Sequence, residues 1–155
     1  MRPDFDTYMM RIAYLTSMRA TCPRKHVGAV IATPDHRILS AGYNGAPRGI
    51  PSCDDVGCLI DNGHCTRSLH AESNCLDFAG RAAKGCTVYV TVTPCWDCAK
   101  RIAQASLCRV VFDEFYASRY ERSTYVVDYL HEAGIEVVQF EEGRMSSFRQ
   151  LLTQL

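Results

Sequence analysis

Phe5, Tyr8, Met9, Ile12 and Leu15, with Thr16 closing the stripe, recur at three- and four-residue steps. This is the spacing of one helix face, and it predicts an amphipathic first helix ending near Thr21. Beyond it the period shortens. Runs rich in β-branched and aromatic residues at 27–32, 38–43, 87–92, 109–112 and 135–140 read as strands. Helical spacing returns between the later runs, at 73–83, 96–105 and 123–133, and Gly134 suits the left-handed turn that closes the last of these. A final helix is expected over 145–155. One helix, two strands and then alternation of helix with strand call for an α/β fold. Its central sheet carries helices on both faces and binds ligands at the carboxyl ends of its strands.

Composition narrows the function. The chain's 155 residues, 47% of them hydrophobic, suffice for one well-packed domain over 1–155 and are short for two. No stretch approaches the roughly 20 apolar residues of a membrane span, and the Met1-Arg2-Pro3-Asp4 start lacks the apolar core of a signal peptide. A soluble, cytoplasmic protein without membrane partners is expected. The nine cysteines then fit reduced thiols and metal ligands better than a secreted disulfide scaffold. With 17 basic and 17 acidic residues, no overall field draws the chain to a polyanion. That disfavours a polynucleotide partner, whose binding usually needs a basic stripe.

The chemistry is concentrated in two short stretches, His70-Ala71-Glu72 and Thr93-Pro94-Cys95-Trp96-Asp97-Cys98. One imidazole and two thiolates give zinc three protein ligands and leave its fourth position for water, the pattern of a catalytic site. A carboxylate beside such a metal can take and deliver protons, the role open to Glu72. Residues two apart on a regular helix point about 200° from each other, so His70 and Glu72 belong at a helix start. Pro94 likewise suits a helix entrance, with Cys95 and Cys98 one turn apart on one face. Two helix N-termini aimed at one metal favour thiolate over thiol. Each stretch has a plainer reading: the histidine and glutamate alone carry little, and the cysteine pair could be a redox couple or half of a structural zinc site. Their order, with Pro94 and a strand just before Cys95, favours the joint site. Cys75, Cys86 and Cys108 read as small buried residues.

These two stretches form the signature of the zinc nucleobase deaminases. The chain further resembles the deoxycytidylate (dCMP) deaminases of the cytidine deaminase-like superfamily. The resemblance is carried by Val27-Gly28-Ala29-Val30-Ile31, Gly42-Tyr43-Asn44-Gly45-Ala46-Pro47-Arg48-Gly49, Leu69-His70-Ala71-Glu72, the Thr93 to Lys100 stretch and Ala133-Gly134-Ile135-Glu136-Val137. It implies a three-layer α/β/α sandwich around a five-stranded mixed sheet. It also implies zinc on His70, Cys95 and Cys98 with Glu72 as proton shuttle, and a nucleotide contact from Asn44, beside which the backbone near Ala71 and Cys95 can position the base. Arg24, Ser118 and Tyr120 are the implied phosphate contacts, though such loop residues are often merely solvated. Several members bind a second, structural zinc. Cys22 and Cys53 match its ligands best, and His64 and Cys65, with Cys58 as the alternate, compete for the other places. Reduced free thiols are the plainer reading of that group. Members switched on by dCTP and off by dTTP, with Mg2+ accompanying the triphosphate, are usually hexamers.

The reaction so implied is hydrolytic deamination of dCMP to dUMP and ammonia, supplying dUMP for thymidylate synthesis. Its rivals are a cytidine or deoxycytidine deaminase, which needs no phosphate grip, and a tRNA adenosine deaminase, which should carry more basic surface. A zinc-stabilised binding module without chemistry stands outside the enzymes.

Overall fold

Asp4 starts the first helix, α1 (Phe5–Ser17), its carboxylate accepting from the Thr7 backbone N–H at 2.8 Å. This satisfies one of the unpaired donors of the first turn. Two strands follow, β1 (Gly28–Ala32) and β2 (Ile38–Tyr43), then a one-turn helix α2 (Cys53–Val56) and a hairpin of β3 (Ile60–Asp61) with β4 (His64–Cys65). Helix and strand then alternate: α3 (Ala71–Ala79) with a 3-10 turn (Gly80–Ala83), β5 (Thr87–Val92), α4 (Trp96–Gln104), β6 (Arg109–Glu114), α5 (Tyr120–Glu132), β7 (Glu136–Gln139) and α6 (Ser146–Leu152). The computed structural model describes residues 1–116, 120–141 and 143–155.

The main sheet has five strands in the order β2-β1-β5-β6-β7. β1 runs antiparallel to both neighbours, whereas β5, β6 and β7 are parallel, so the sheet is mixed. Alternate side chains enter different cores. Ala29, Ile31, Val88, Val90, Val110 and Phe112 pack with Cys75 of α3, Ile102 of α4 and Leu130 of α5. Val30, Ala32, Tyr89 and Val111 pack on the opposite face with Met9, Met10 and Ala13 of α1 and with Met145 before α6. A strand buried on both faces reads as a continuous apolar run, which is why these strands show so little alternation. The expected three layers are therefore present.

The face that the first helix turns to the sheet overlaps its apolar stripe only in part. Met9 of the stripe is buried and Ile12 half-buried, but Phe5, Tyr8 and Leu15 are 52%, 46% and 45% exposed, and Met10, Ala13 and Tyr14, outside the stripe, are buried. The cause lies in β1, where a Cβ on Gly28 would come within 1.9 Å of the Ala13 carbonyl oxygen and 2.7 Å of the Ser17 amide. Only the small-residue side of α1 fits against a strand that close. Polar groups then lock the contact. Asp6 accepts from both Arg109 Nη atoms at 2.8 and 2.7 Å and from Tyr89 Oη at 2.8 Å, and Tyr14 donates to Asp113. Two further expectations change: α1 ends at Ser17 and not near Thr21, and Cys108 is exposed. Gly134 closes the expected turn with φ 76°. Among the described residues no helix is long and apolar enough to cross a membrane.

Candidate active site

The carboxyl ends of β5 and β6 border a cleft of about 1030 Å³. Two helix starts meet there. His70 is the N-cap of α3 and Cys95 that of α4, both in extended backbone, and neither side chain caps its own helix. They converge on each other. His70 Nδ1 lies 3.3 Å from Cys95 Sγ and 3.5 Å from Cys98 Sγ, and the three ligand atoms all fall within 4.8 Å of one another. Zinc bonds of about 2.1 Å to nitrogen and 2.3 Å to sulfur at tetrahedral angles require N···S edges of about 3.6 Å. The donor set fits zinc, and three ligands leave a fourth corner for a reacting oxygen.

Neighbouring strands set this geometry. A Cβ on Gly42 of β2 would meet the Ala71 carbonyl oxygen at 2.7 Å and the Cys75 amide at 2.9 Å, so glycine lets the first turn of α3 lie on the strand. Asn74 Nδ2 donates to the Tyr43 carbonyl at 2.7 Å, and Ser40 Oγ to the Cys75 carbonyl at 2.9 Å. The loop into α4 is held by Thr93, whose N–H and Oγ1 both donate to the Glu114 carbonyl at 2.9 and 3.1 Å.

Glu72 occupies the first turn of α3 and is 4% exposed. Burial pushes its carboxyl up to about 7, against the pull of His70. A proton shuttle works best near the operating pH, and burial supplies that match. The Cys95 thiol is drawn down to about 4 by Cys98 and His70 beside it, whereas Cys98 is driven up by its Cys95 neighbour and by burial.

Asn44 and Arg24 line the same cleft as His70, Ala71 and Glu72. Asn44 is buried and largely committed: Oδ1 accepts from the Val27 amide at 2.7 Å and Nδ2 donates to the Lys25 carbonyl at 2.7 Å. One amide hydrogen and one lone pair are left for a ligand. Arg24 Nη2 donates to the Gly63 carbonyl at 2.8 Å, in the turn of the β3–β4 hairpin, leaving its other donors available. Ser118 lies outside the described residues, as does the side chain of Tyr120, the first residue of α5.

A second set of sulfurs stands nearby. Cys22, Cys53, Cys58 and Cys65 bring their Sγ atoms within 4.8 Å of one another, with Cys22 to Cys58 at 3.8 Å and Cys53 to Cys65 at 3.6 Å. Disulfides need about 2.05 Å, whereas the S···S edge of a tetrahedral zinc–sulfur site is about 3.8 Å. His64 is not in this set, and Cys58 takes the place expected for it. The reason is strand alternation: successive residues of β4 face opposite sides, so Cys65 and His64 cannot both reach one centre. His64 lines the cleft instead. Burial raises the Cys65 thiol, but the Arg67 and Leu59 backbone groups and the Cys53 and Cys58 thiols outweigh it and bring it down to about 6.

The cytidine and deoxycytidylate deaminase zinc-binding region matches residues 3–114. The chain belongs to this family. It is 38% identical over 148 residues to ComE operon protein 2 of Bacillus subtilis, covering 93% of this chain and 75% of that protein. Against the deoxycytidylate deaminase of Saccharomyces cerevisiae it is 37% identical over 156 residues, covering 94% of this chain and 48% of that protein. The chain thus spans about half the length of the yeast relative. Among solved structures, the dCMP deaminase of cyanophage S-TIM5 in complex with dCMP and dUMP superposes with a TM-score of 0.75 at 31% identity, covering 90% of this chain and 99% of that one.

For this deaminase-family chain, several cleft residues escape motif reasoning. Lys25, Ser123 and Val126 line the cleft without belonging to a ligand pattern. Tertiary packing brings them there from the loop before β1 and from α5. The one overlooked local signal is Asn62-Gly63, whose φ values of 47° and 78° form the β3–β4 turn. That dipeptide between short extended runs is a strong hairpin signal.

Proposed function

We propose that the protein hydrolyses dCMP to dUMP and ammonia. The observation that carries this reading is a buried carboxylate, Glu72, beside a three-ligand His70–Cys95–Cys98 set, in a cleft that Arg24 also lines. When bound, zinc supplies a Lewis acid that makes water a nucleophile at neutral pH. Glu72 takes one proton of the attacking water and delivers it to N3 of the pyrimidine, then takes the remaining proton from the new C4 hydroxyl and delivers it to the departing C4 amine, so that water enters and ammonia leaves. Burial keeps its proton affinity in the working range. Asn44 and the Ala71 backbone orient the nucleotide, and Arg24 receives its phosphate, with Ser118 and Tyr120 as further contacts.

The four-cysteine set is read as a second, structural zinc site, closed by Cys22, Cys53, Cys58 and Cys65. Four thiolates fill a tetrahedral shell, which suits a metal that pins a loop and does no chemistry. A homo-oligomer, with a hexamer as its expected size, and triphosphate effectors carried with Mg2+ enter as the family resemblance implies them. Light scattering with and without dCTP and Mg2+ tests both.

The phosphate grip separates this reading from a nucleoside deaminase. Arg24→Ala lowers kcat/KM on dCMP by about tenfold to a hundredfold, the worth of a charge-assisted contact, and changes deoxycytidine turnover little. Steady-state kinetics on the two substrates measure it. Equal losses on both would return Arg24 to supporting the hairpin turn.

A further inference from the structure

We infer that Lys25 determines specificity in the cleft: its ammonium, held by Glu114, supplies beside Arg24 a second positive charge for the nucleotide's 5′-phosphate, and Arg149 tunes that charge from α6. The inference rests on the nucleotide reading above.

Three observations carry it. Lys25 lines the cleft with Arg24, and its Nζ stands 3.1 Å from Glu114 Oε2, the two side chains being 40% and 28% exposed. The segment cannot slide, because Asn44 bonds both the Lys25 carbonyl and the Val27 amide. Glu114, at the end of β6, gives its other carboxylate oxygen to Arg149. Arg149 lies in a separate groove with Tyr14 and His26.

Charge bookkeeping then decides the point. Lys25 and Arg149 share the Glu114 carboxylate, Asp113 also faces Arg149 while accepting from Tyr14, and Arg24 adds its own charge at the rim of the cleft. Asp97 also lines the cleft, but it is paired with Lys100 at 2.9 Å. A phosphate monoester entering there meets Arg24 and Lys25 side by side, inside a chain of zero net charge. An ordinary surface ion pair would contribute little and would not distinguish two substrates. The arrangement also makes Arg149 a positioning residue: without it, the whole carboxylate turns to Lys25 and weakens the pull on phosphate.

The test is steady-state kinetics on dCMP and deoxycytidine for zinc-loaded wild type, Lys25→Met, Arg149→Ala and Arg149→Lys, with zinc content and melting temperature measured on each. Lys25→Met raises KM for dCMP by about tenfold or more, with kcat nearly unchanged and deoxycytidine unaffected. Arg149→Ala raises KM for dCMP by about threefold through charge alone, and Arg149→Lys restores it. Equal effects on both substrates, or no change in KM for dCMP in folded, zinc-loaded Lys25→Met, would overturn the assignment. A wild type that does not prefer dCMP to deoxycytidine removes the nucleotide reading and this inference with it. A wild type that prefers dCMP while Lys25→Met behaves identically removes only the inference.

Discussion

Glu72→Gln keeps the zinc of the His70–Cys95–Cys98 set and still binds dCMP, while kcat falls by about 10² to 10⁴, the usual loss when a general acid/base is removed. The amide has the size of the carboxylate and retains hydrogen-bonding atoms, so the first turn of α3 and its N-cap His70 stay in place. What disappears is the capacity to take a proton and give it back. The substitution also removes a carboxyl that burial destabilises in its charged form, so the melting temperature holds or rises. Zinc content, nucleotide binding and single-turnover rates on the same preparation separate these effects. Turnover near the wild-type rate would remove Glu72 from the mechanism.

The second large effect concerns the four sulfurs. Cys58→Ser lowers zinc from two per chain to one, spares the catalytic metal and lowers the melting temperature by roughly 10 °C or more. A hydroxyl is a far poorer zinc ligand than a thiolate, and the released metal no longer ties Cys22, in the loop between α1 and β1, to α2 and the β3–β4 hairpin. His64→Ala is the matched control, being the neighbour of Cys65 that faces away from the sulfurs, and it leaves metal content at two. Elemental analysis of chelator-free preparations decides between them. One zinc per wild-type chain, with no change in Cys58→Ser, would make the set ordinary thiols.

The convergence of His70, Cys95 and Cys98 is legible in the chain because local rules bring them together: a helix start, a proline entrance and a one-turn cysteine spacing. The strands were legible because burial on both faces makes them continuously apolar. Other features depend on what lies across the sheet. The buried face of α1 is legible only in part, since Gly28, outside the helix, rotates it through the close approach of Ala13. Cys58, the alternate in sequence, takes the place expected for His64 only in the fold, where Cys65 of β4 joins the sulfurs and its neighbour His64 does not. Lys25 stood next to Arg24 in plain view, but its role rests on Glu114 and Arg149, distant in sequence and adjacent only in the fold. Asn44 was expected at the ligand, and the structure adds that it clasps the entrance of β1.

The central claim is a reaction, and product analysis reaches it most directly. Zinc-loaded protein incubated with dCMP should yield dUMP and ammonia in equal amounts, resolved by chromatography and an ammonia assay, with dCMP consumed in preference to deoxycytidine. No dUMP from a folded, zinc-loaded preparation, or faster turnover of deoxycytidine than of dCMP, would contradict it.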